Sequence, residues 1–258
     1  MKTFSIITVT RNNRTGLEKT YESLQAQTCR DFEWIVMDGA STDGTLDYLT
    51  NIPPPRQDGS ALLWASAPDQ GIYDAMNKGI NHATGSYLLF LNAGDRLASP
   101  DALARIKLAL NKQSFTFLYG PALEERAGQT PALKPARSHT AITRGMVTHH
   151  QAMLHRRDIV GDMRYDLSYR IAADYDFTLR FLRRAHENVL ILPFPVCLFE
   201  AGGVSQRRPI EGRQEQFKIR EKLNYNKILN ALIYTIQYVS YLIKTRAPRI
   251  YWALRSIR

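Results

Sequence analysis

Residues 32–45 read FEWIVMDGASTDGT: an apolar run that stops at an acid and passes into glycine, serine and threonine. An apolar run of that length, bounded by turn residues, reads as a buried strand, and Asp38 stands at its carboxyl end. Upstream, residues 4–9 (FSIITV) form a second β-branched run of the same kind, and between the two Leu17, Tyr21 and Leu24 recur at helical spacing. Strand, helix, strand is the unit of a parallel sheet. The alternation continues downstream with a helix at 43–51 closed by Pro53-Pro54-Pro55, then a strand at 61–65 (ALLWA). A helix follows whose face carries Ile72, Ala75, Met76, Gly79, Ile80 and Ala83, and then a strand at 86–91 (SYLLFL). The predicted class is α/β, a Rossmann-like, mostly parallel sheet flanked by helices, with ligands at the carboxyl ends of its strands.

Beyond Leu91 the pattern is less regular. It predicts a helix at 100–111, a strand at 116–119, connecting loops over 120–145, ordered chain at 151–155, a helix at 172–186, a strand at 189–192 and helix from about Glu211. A chain of 258 residues, 44% hydrophobic, can bury a sizeable core as one large domain with or without an appendage. Its two cysteines, Cys29 and Cys197, fit neither a zinc site nor a disulfide scaffold, which favours a reducing compartment. The N-terminal apolar stretch is too short for a signal peptide, so a cytoplasmic protein is expected.

The net charge of +10 is uneven. Residues 203–258 hold twelve of the 34 basic residues and three of the 24 acidic ones, a net of +9 that leaves +1 for residues 1–202. A nearly neutral body argues against a nucleic-acid partner. The run at 228–243 (ILNALIYTIQYVSYLI), interrupted by Asn230 and Gln237, falls short of the roughly 20 apolar residues of a membrane span. Tyr234, Tyr238, Tyr241, Tyr251 and Trp252, with Lys227, Lys244, Arg246, Arg249, Arg255 and Arg258, suit a helix lying on an anionic membrane surface. Packing on the body or on a second subunit is the alternative.

Four strand ends carry polar groups: Thr8 to Asn13, Asp38 to Thr45, Ala67 to Gly79, and Asn92-Ala93-Gly94-Asp95. Glycines permit tight turns in the second, where Ser41 or Thr42 could cap a helix and the Asp38 carboxylate suits a base or ribose. Each segment also reads as an ordinary turn, with Asp74 and Lys78 as an exposed i,i+4 pair and Asp95 as a turn acid. The set of four at one sheet edge points to a nucleotide crevice. Farther on, Asp174 and Asp176 compete for the roles of general base and helix-start residue. His149 and His150 read either as ligands or as a partly buried, hydrogen-bonded pair.

The blocks FSIITVTRNN, FEWIVMDGASTDGT, SAPDQGIYDAMNKGI and YLLFLNAGD, followed by HHQAML, RYDLSYRIAADYDFTLRF and GGVS, resemble the ordered blocks of inverting family 2 glycosyltransferases with the GT-A fold. They are most similar to the bacterial exopolysaccharide transferases of the colanic-acid type. The resemblance spans residues 3–206 and implies a GT-A catalytic domain at 1–206, with a nucleotide-binding half at 1–98 and an acceptor half at 99–206. A basic amphipathic helical tail would follow at 207–258. By resemblance, Thr8, Arg11 and Asp38, with Asp69 beside them, contact the nucleoside, and Asn77 and Lys78 lie near the diphosphate. Thr10, Asn12, Gly39, Ser41, Gly71, Asn92, Ala93 and Gly94 complete the nucleotide-sugar-binding set. Asp95 matches the last acid of the family's Asp-x-Asp motif, which holds a divalent cation (Mn2+ or Mg2+) on the donor diphosphate. Asn92-Ala93-Gly94-Asp95 departs from the motif by offering one carboxylate where many relatives offer two or three. Asp174 matches the catalytic base, and His150-Gln151 the acceptor side.

The implied activity is transfer of a sugar from a nucleoside diphosphate sugar, UDP-linked by preference, to an oligosaccharide or lipid-linked acceptor in polysaccharide biosynthesis, at the inner face of the cell membrane. A sugar nucleotidyltransferase is the main alternative, but TVTRNN lacks the glycines its first strand end would carry. A nucleic-acid module built on the tail is the other.

Overall fold

The computed structural model describes residues 2–53, 61–126, 128–185 and 188–247. Strands β1 (Phe4–Thr10) and β2 (Phe32–Asp38) pair in parallel from Phe4 against Phe32 to Thr10 against Asp38, so both strands deliver a polar side chain at one edge. Between them α1 (Arg14–Gln25) buries Leu17, Tyr21 and Leu24, the face its spacing predicts. Asn13 caps it, its side-chain oxygen accepting the Gly16 N–H at 3.1 Å. Helix α2 (Thr45–Asn51), edge strand β3 (Ala61–Ser66), α3 (Ile72–His82) and the fully buried β4 (Tyr87–Phe90) complete the regular half. Helix α3 buries Ala75, Met76, Gly79 and Ile80. Gly79 sits against β1, where a Cβ would stand 2.4 Å from Ile7 Cγ2. Ile72, expected on that buried face, is exposed because it opens the helix.

The second half is more interrupted. Its elements are β5 (Arg96–Leu97), α4 (Ala102–Lys112), β6 (Phe117–Tyr119), β7 (Ala122–Glu125), β8 (Ala132–Lys134), β9 (Met153–Arg156), α5 (Arg157–Val160), α6 (Ala173–Arg184), β10 (Val189–Ile191) and β11 (Cys197–Glu200). Seven strands form the main sheet in the order β10-β6-β9-β4-β1-β2-β3, parallel except for β9, which runs antiparallel to both β4 and β6. A second sheet has the order β5-β11-β7-β8. The stretch 120–145, expected as loops, instead supplies β7, β8 and a 3-10 turn at His139–Arg144. These strands are three or four residues long and half-exposed, too short for a period of two to register.

Helices α7 (Val204–Arg207), α8 (Pro209–Lys222) and α9 (Lys227–Arg246) close the described chain. Ile219 of α8 lies in the core beside Tyr175 and Phe181 of α6. Arg220 is fully buried: its Nε donates to Asn230 Oδ1 of α9 (2.6 Å), and its Nη1 to Tyr175 Oη (3.2 Å) and Thr143 O (3.3 Å). One face of α9 therefore packs on α8, through Asn230 and Ile233, while Ile228, Leu229, Leu232, Ile236 and Val239 are exposed. Among the described residues no helix is long and apolar enough to cross a membrane. Pro54, Pro55, Arg249, Tyr251, Trp252, Arg255 and Arg258 lie outside the described residues.

Candidate active site

At the ends of β1, β2 and β3 the polar groups bind mostly one another. Asp38 is nearly buried; its Oδ2 accepts Ser66 Oγ (2.6 Å) and the Ser41 N–H (3.0 Å), and its Oδ1 accepts Ser41 Oγ. Ser41 Oγ also accepts the Asn12 N–H at 2.7 Å, and Asn12 Oδ1 accepts the Thr42 N–H at 2.8 Å. These bonds tie the loops after β1 and β2 together, with Asn12 and Ala40 in the left-handed region. Neither Ser41 nor Thr42 caps α2; Asp43 does that work, its Oδ1 accepting the Thr45 N–H and hydroxyl. Gly39 is packed so closely on Asp69 that a Cβ would fall 2.4 Å from Asp69 Oδ2. Asp69 Oδ1 accepts the N–H of Gly71, the left-handed residue that opens α3, and Arg11 stands exposed at the same edge.

Of the expected donor contacts, Thr8 is corrected, and Asn77 and Lys78 have partners within the protein. Thr8 is fully buried, its hydroxyl donating to Leu91 O (2.7 Å) and accepting from Trp34 Nε1 (2.9 Å), so it does not reach the crevice. Thr10, two residues along the same face, holds the edge position with a buried hydroxyl that has no partner. Asn77 clamps Tyr165 through both its amide groups, Oδ1 accepting the Tyr165 N–H (2.7 Å) and Nδ2 donating to Tyr165 O (3.0 Å), a structural role beside the expected one. Lys78 pairs with Asp74 at 3.0 Å and donates to Pro68 O, the exposed i,i+4 pair.

The loop after β4 is different. Asp95 is nearly buried, its Oδ1 accepting the Glu200 N–H (3.0 Å) and its Oδ2 Gln151 Nε2 (2.8 Å). Burial pushes its carboxyl up to about 6 against these bonds and the nearby His150. Ala93 bonds back to Val9 O, and Gly94 adopts a positive φ with Glu200 so close that a Cβ would sit 2.3 Å from its Oε2. Asn92 Oδ1 and Gln151 Oε1 are buried without partners. Both, like the Asp95 carboxylate, are hard oxygen donors, the type Mg2+ and Mn2+ select. Among the described residues there is no cluster of three His, Cys, Asp or Glu that could hold a metal unaided.

Asn92 also lines a cavity of about 700 Å³ whose walls include Tyr73, Lys134, His149, His150, Gln151, Asp174, Phe199, Gly203 and, from α8 and α9, Gln216 and Gln237. Asn92 Nδ2 lies 3.4 Å from His150 Nε2, and His150 Nδ1 lies 3.5 Å from Asp174 Oδ2. Asp174 and Asp176 are separated by this geometry: Asp174 opens into the cavity, whereas Asp176 is buried in an ion pair with Arg180 at 2.7 Å. The helix N-terminus favours an anion at either position. His149 is held by Glu124 Oε1 (2.8 Å), stacks on Phe199 at 4.1 Å between centroids, and is lowered to about 4 by burial and the Lys134 ammonium.

Lys134, Phe199 and Tyr73 carry no signal in the sequence that marks them for this cavity, and neither does Glu124, which holds His149. Lys134, Phe199 and Glu124 sit on β8, β11 and β7, strands too short for a period to show. Asp38, Asp95 and Asp174, at three separate strand or helix ends, are all nearly or largely buried, but only Asp174 is among the cavity's lining residues.

The chain is similar to known proteins in sequence and in shape. The model of the family Glycosyl transferase family 2 matches residues 5–185. A "PGL/p-HBAD biosynthesis glycosyltransferase" of Mycobacterium bovis (strain BCG / Pasteur 1173P2) is 38% identical over 179 residues, 69% of this chain and 68% of that protein. The crystal structure of S. aureus TarS 1-349 in complex with UDP-GlcNAc superposes with a TM-score of 0.69 at 17% identity, covering 95% of this chain and 73% of that one. The mannosyltransferase PcManGT from Pyrobaculum calidifontis, in complex with GDP-Man and Mn2+, superposes with a TM-score of 0.66 at 17% identity, covering 98% and 74%. The sheet order, the helices on it and these likenesses are those of the GT-A fold, and the family match covers well over half of the sequence: the chain belongs to glycosyltransferase family 2.

Proposed function

We infer that the protein transfers one sugar from a nucleoside diphosphate sugar to an oligosaccharide or lipid-linked acceptor, with inversion at C1, and that Asp174 is the catalytic base. The observation that carries the reading is the exposure of Asp174 to the cavity beside His150 and Asn92, while its competitor Asp176 is locked to Arg180. Inversion needs one group that takes the proton of the acceptor hydroxyl as that oxygen attacks C1 opposite the leaving diphosphate, and a carboxylate meets that need. His150, 3.5 Å away, orients the carboxylate, and His150 and Gln151 face the acceptor.

Arg11, Asn12, Asp38, Gly39, Ser41, Asp69 and Gly71 form the donor's nucleoside edge. Asp38 acts there mainly by shaping the loop, since Ser41 and Ser66 take up its oxygens. The UDP and GDP sugars bound by the similar structures support a nucleotide-sugar donor, with UDP favoured. A divalent cation would be held by Asp95, with Asn92 and Gln151 offering neutral oxygens, and would offset charge building on the diphosphate. The catalytic domain is read as residues 1–206. The basic tail is read as 207–258; its described part packs on the domain through α8 and presents the exposed stripe Ile228, Leu229, Leu232, Ile236 and Val239 of α9 to an anionic membrane at the inner face of the cell. The mycobacterial relative's name supports a role in polysaccharide or glycolipid synthesis.

A panel of UDP, GDP and dTDP sugars with Mn2+ or Mg2+, read as thermal shift and nucleotide release, tests the reaction class. One donor should stabilise the protein and be turned over, and product NMR should show the opposite anomer; retention, or no binding by any of the panel, rejects the reading. Serine at Ile228, Leu232 and Ile236 together should abolish pelleting with phosphatidylglycerol vesicles, and undiminished pelleting would reject the membrane assignment.

A further inference from the structure

The family match ends at residue 185, yet a carboxylate thirty residues farther on reaches the segment that carries Asp174. Glu215, on α8, accepts three backbone N–H groups in succession: Arg170 on Oε1 (2.9 Å), and Ile171 (2.9 Å) and Ala172 (2.8 Å) on Oε2. Those donors stand immediately before α6. The residue at its N-cap is Ala172, which has no side-chain oxygen and makes no capping bond of its own. A helix start leaves backbone N–H groups that need an acceptor, and bonds from a charged carboxylate are among the stronger ones. From the opposite side Tyr73 of α3 donates its hydroxyl to Ile171 O at 2.8 Å. The segment is thus held by its N–H groups from α8 and by a carbonyl from α3. Asp174 follows two residues later, with Oδ1 accepting the Tyr175 N–H (2.8 Å) and Oδ2 facing His150.

We propose that Glu215 is a positioning residue for Asp174, so that the C-terminal helices are part of the catalytic apparatus. The inference rests on the reading of Asp174 as the base. Glu215 touches no reacting atom; it fixes the peptide frame from which the Asp174 side chain projects. Displacing a reacting group by about 1 Å can cost about 10²-fold in rate, so loosening this frame lowers turnover while leaving the nucleoside edge, built on β1, β2 and β3, intact.

The test uses the full chain, the nucleotide sugar giving the largest thermal shift in the panel above, and water as acceptor, with release of the nucleoside diphosphate as readout. Glu215→Gln, which puts an amide N–H among these N–H donors, should lower kcat about 10- to 100-fold and lower Tm, with donor affinity near wild type. Hydrogen exchange at the amides of 170–172 should quicken while that of α9 is unchanged. Glu215→Asp keeps the charge but retracts it by one methylene; it should keep Tm and still lose kcat, which covers a Gln variant that folds poorly. In the Asp174→Asn background, Glu215→Gln should cost almost nothing further. An undiminished loss in that background, protected amides at 170–172, or parallel loss of Tm, donor affinity and kcat in both Glu215 variants overturns the inference. Full turnover by Asp174→Asn alone would instead remove the reading of Asp174 as base, and positioning with it.

Discussion

The ends of β1, β2 and β3 and the wall of the cavity satisfy their polar groups in different ways. At the strand ends, Asp38, Ser41, Asn12 and Ser66 bind one another, which organises the loops before any ligand arrives, and the Thr10 hydroxyl is the exception. Along the wall, Asn92 Oδ1 and Gln151 Oε1 are buried without partners, and Asp174 meets His150 only at 3.5 Å. A buried polar atom without a partner costs about 1–3 kcal/mol, and a bound donor or acceptor can recover that cost. The first region reads as a rigid frame, the second as a surface waiting to be completed.

The largest expected difference between the regions is catalytic. Asp174→Asn should lower turnover by about 10²- to 10⁴-fold, with calorimetric donor affinity and Tm near wild type; loss of donor binding together with activity would make the wall part of the frame. Asp176→Asn should do the reverse. It weakens the bonds to Arg180 and should lower stability by about 1.5–3 kcal/mol, seen in urea unfolding, with most turnover retained in the folded fraction. Asn77→Ala removes both bonds to the Tyr165 backbone and should cost about 1–2 kcal/mol without changing donor affinity. A selective loss of donor affinity would return Asn77 to the binding site.

The smallest effect at neutral pH concerns His155, buried among Phe117, Phe177 and Phe181 with both ring nitrogens unpartnered. Burial lowers it to about 3, as burial and Lys134 lower His149 to about 4. Below pH 6.5 the unfolded chain takes up these protons and the folded chain does not. Stability is therefore complete above pH 6.5 and falls as the pH drops toward the folded values, by about 1.4 kcal/mol per unit for each ring. His155→Phe should leave Tm at pH 7.5 little changed and remove about one proton from the acid-side slope. An unchanged slope would mean that ring is protonated in the fold.

The regular half is legible because its strands are apolar runs ending at polar residues, and the helix carrying Asp174 because its apolar residues repeat. Thr8 was misread because the pattern gives the face of a residue but not its depth: Thr10, two positions on, holds the place expected of it. Asn77 and Lys78 looked available because their partners, the Tyr165 backbone and Pro68 O, are set by tertiary folding. Strands β5, β7, β8 and β11 are two to four residues long and carry no period, so Lys134 of β8 and Phe199 of β11, which line the cavity, stay hidden in the sequence. Glu215 is one glutamate on a charged helix with nothing to link it to a loop 43 to 45 residues away.

Arg220 gives the C-terminus a second meaning. Its guanidinium is interred with Asn230, Tyr175 and Thr143 as partners, and Nη2 has none. A premature stop codon between Leu223 and Asn230 would therefore do more than delete a greasy surface. It would take the Asn230 partner from a buried cation beneath the helix that bears Asp174, and quality-control proteases would meet a loosened core as well as a shorter chain.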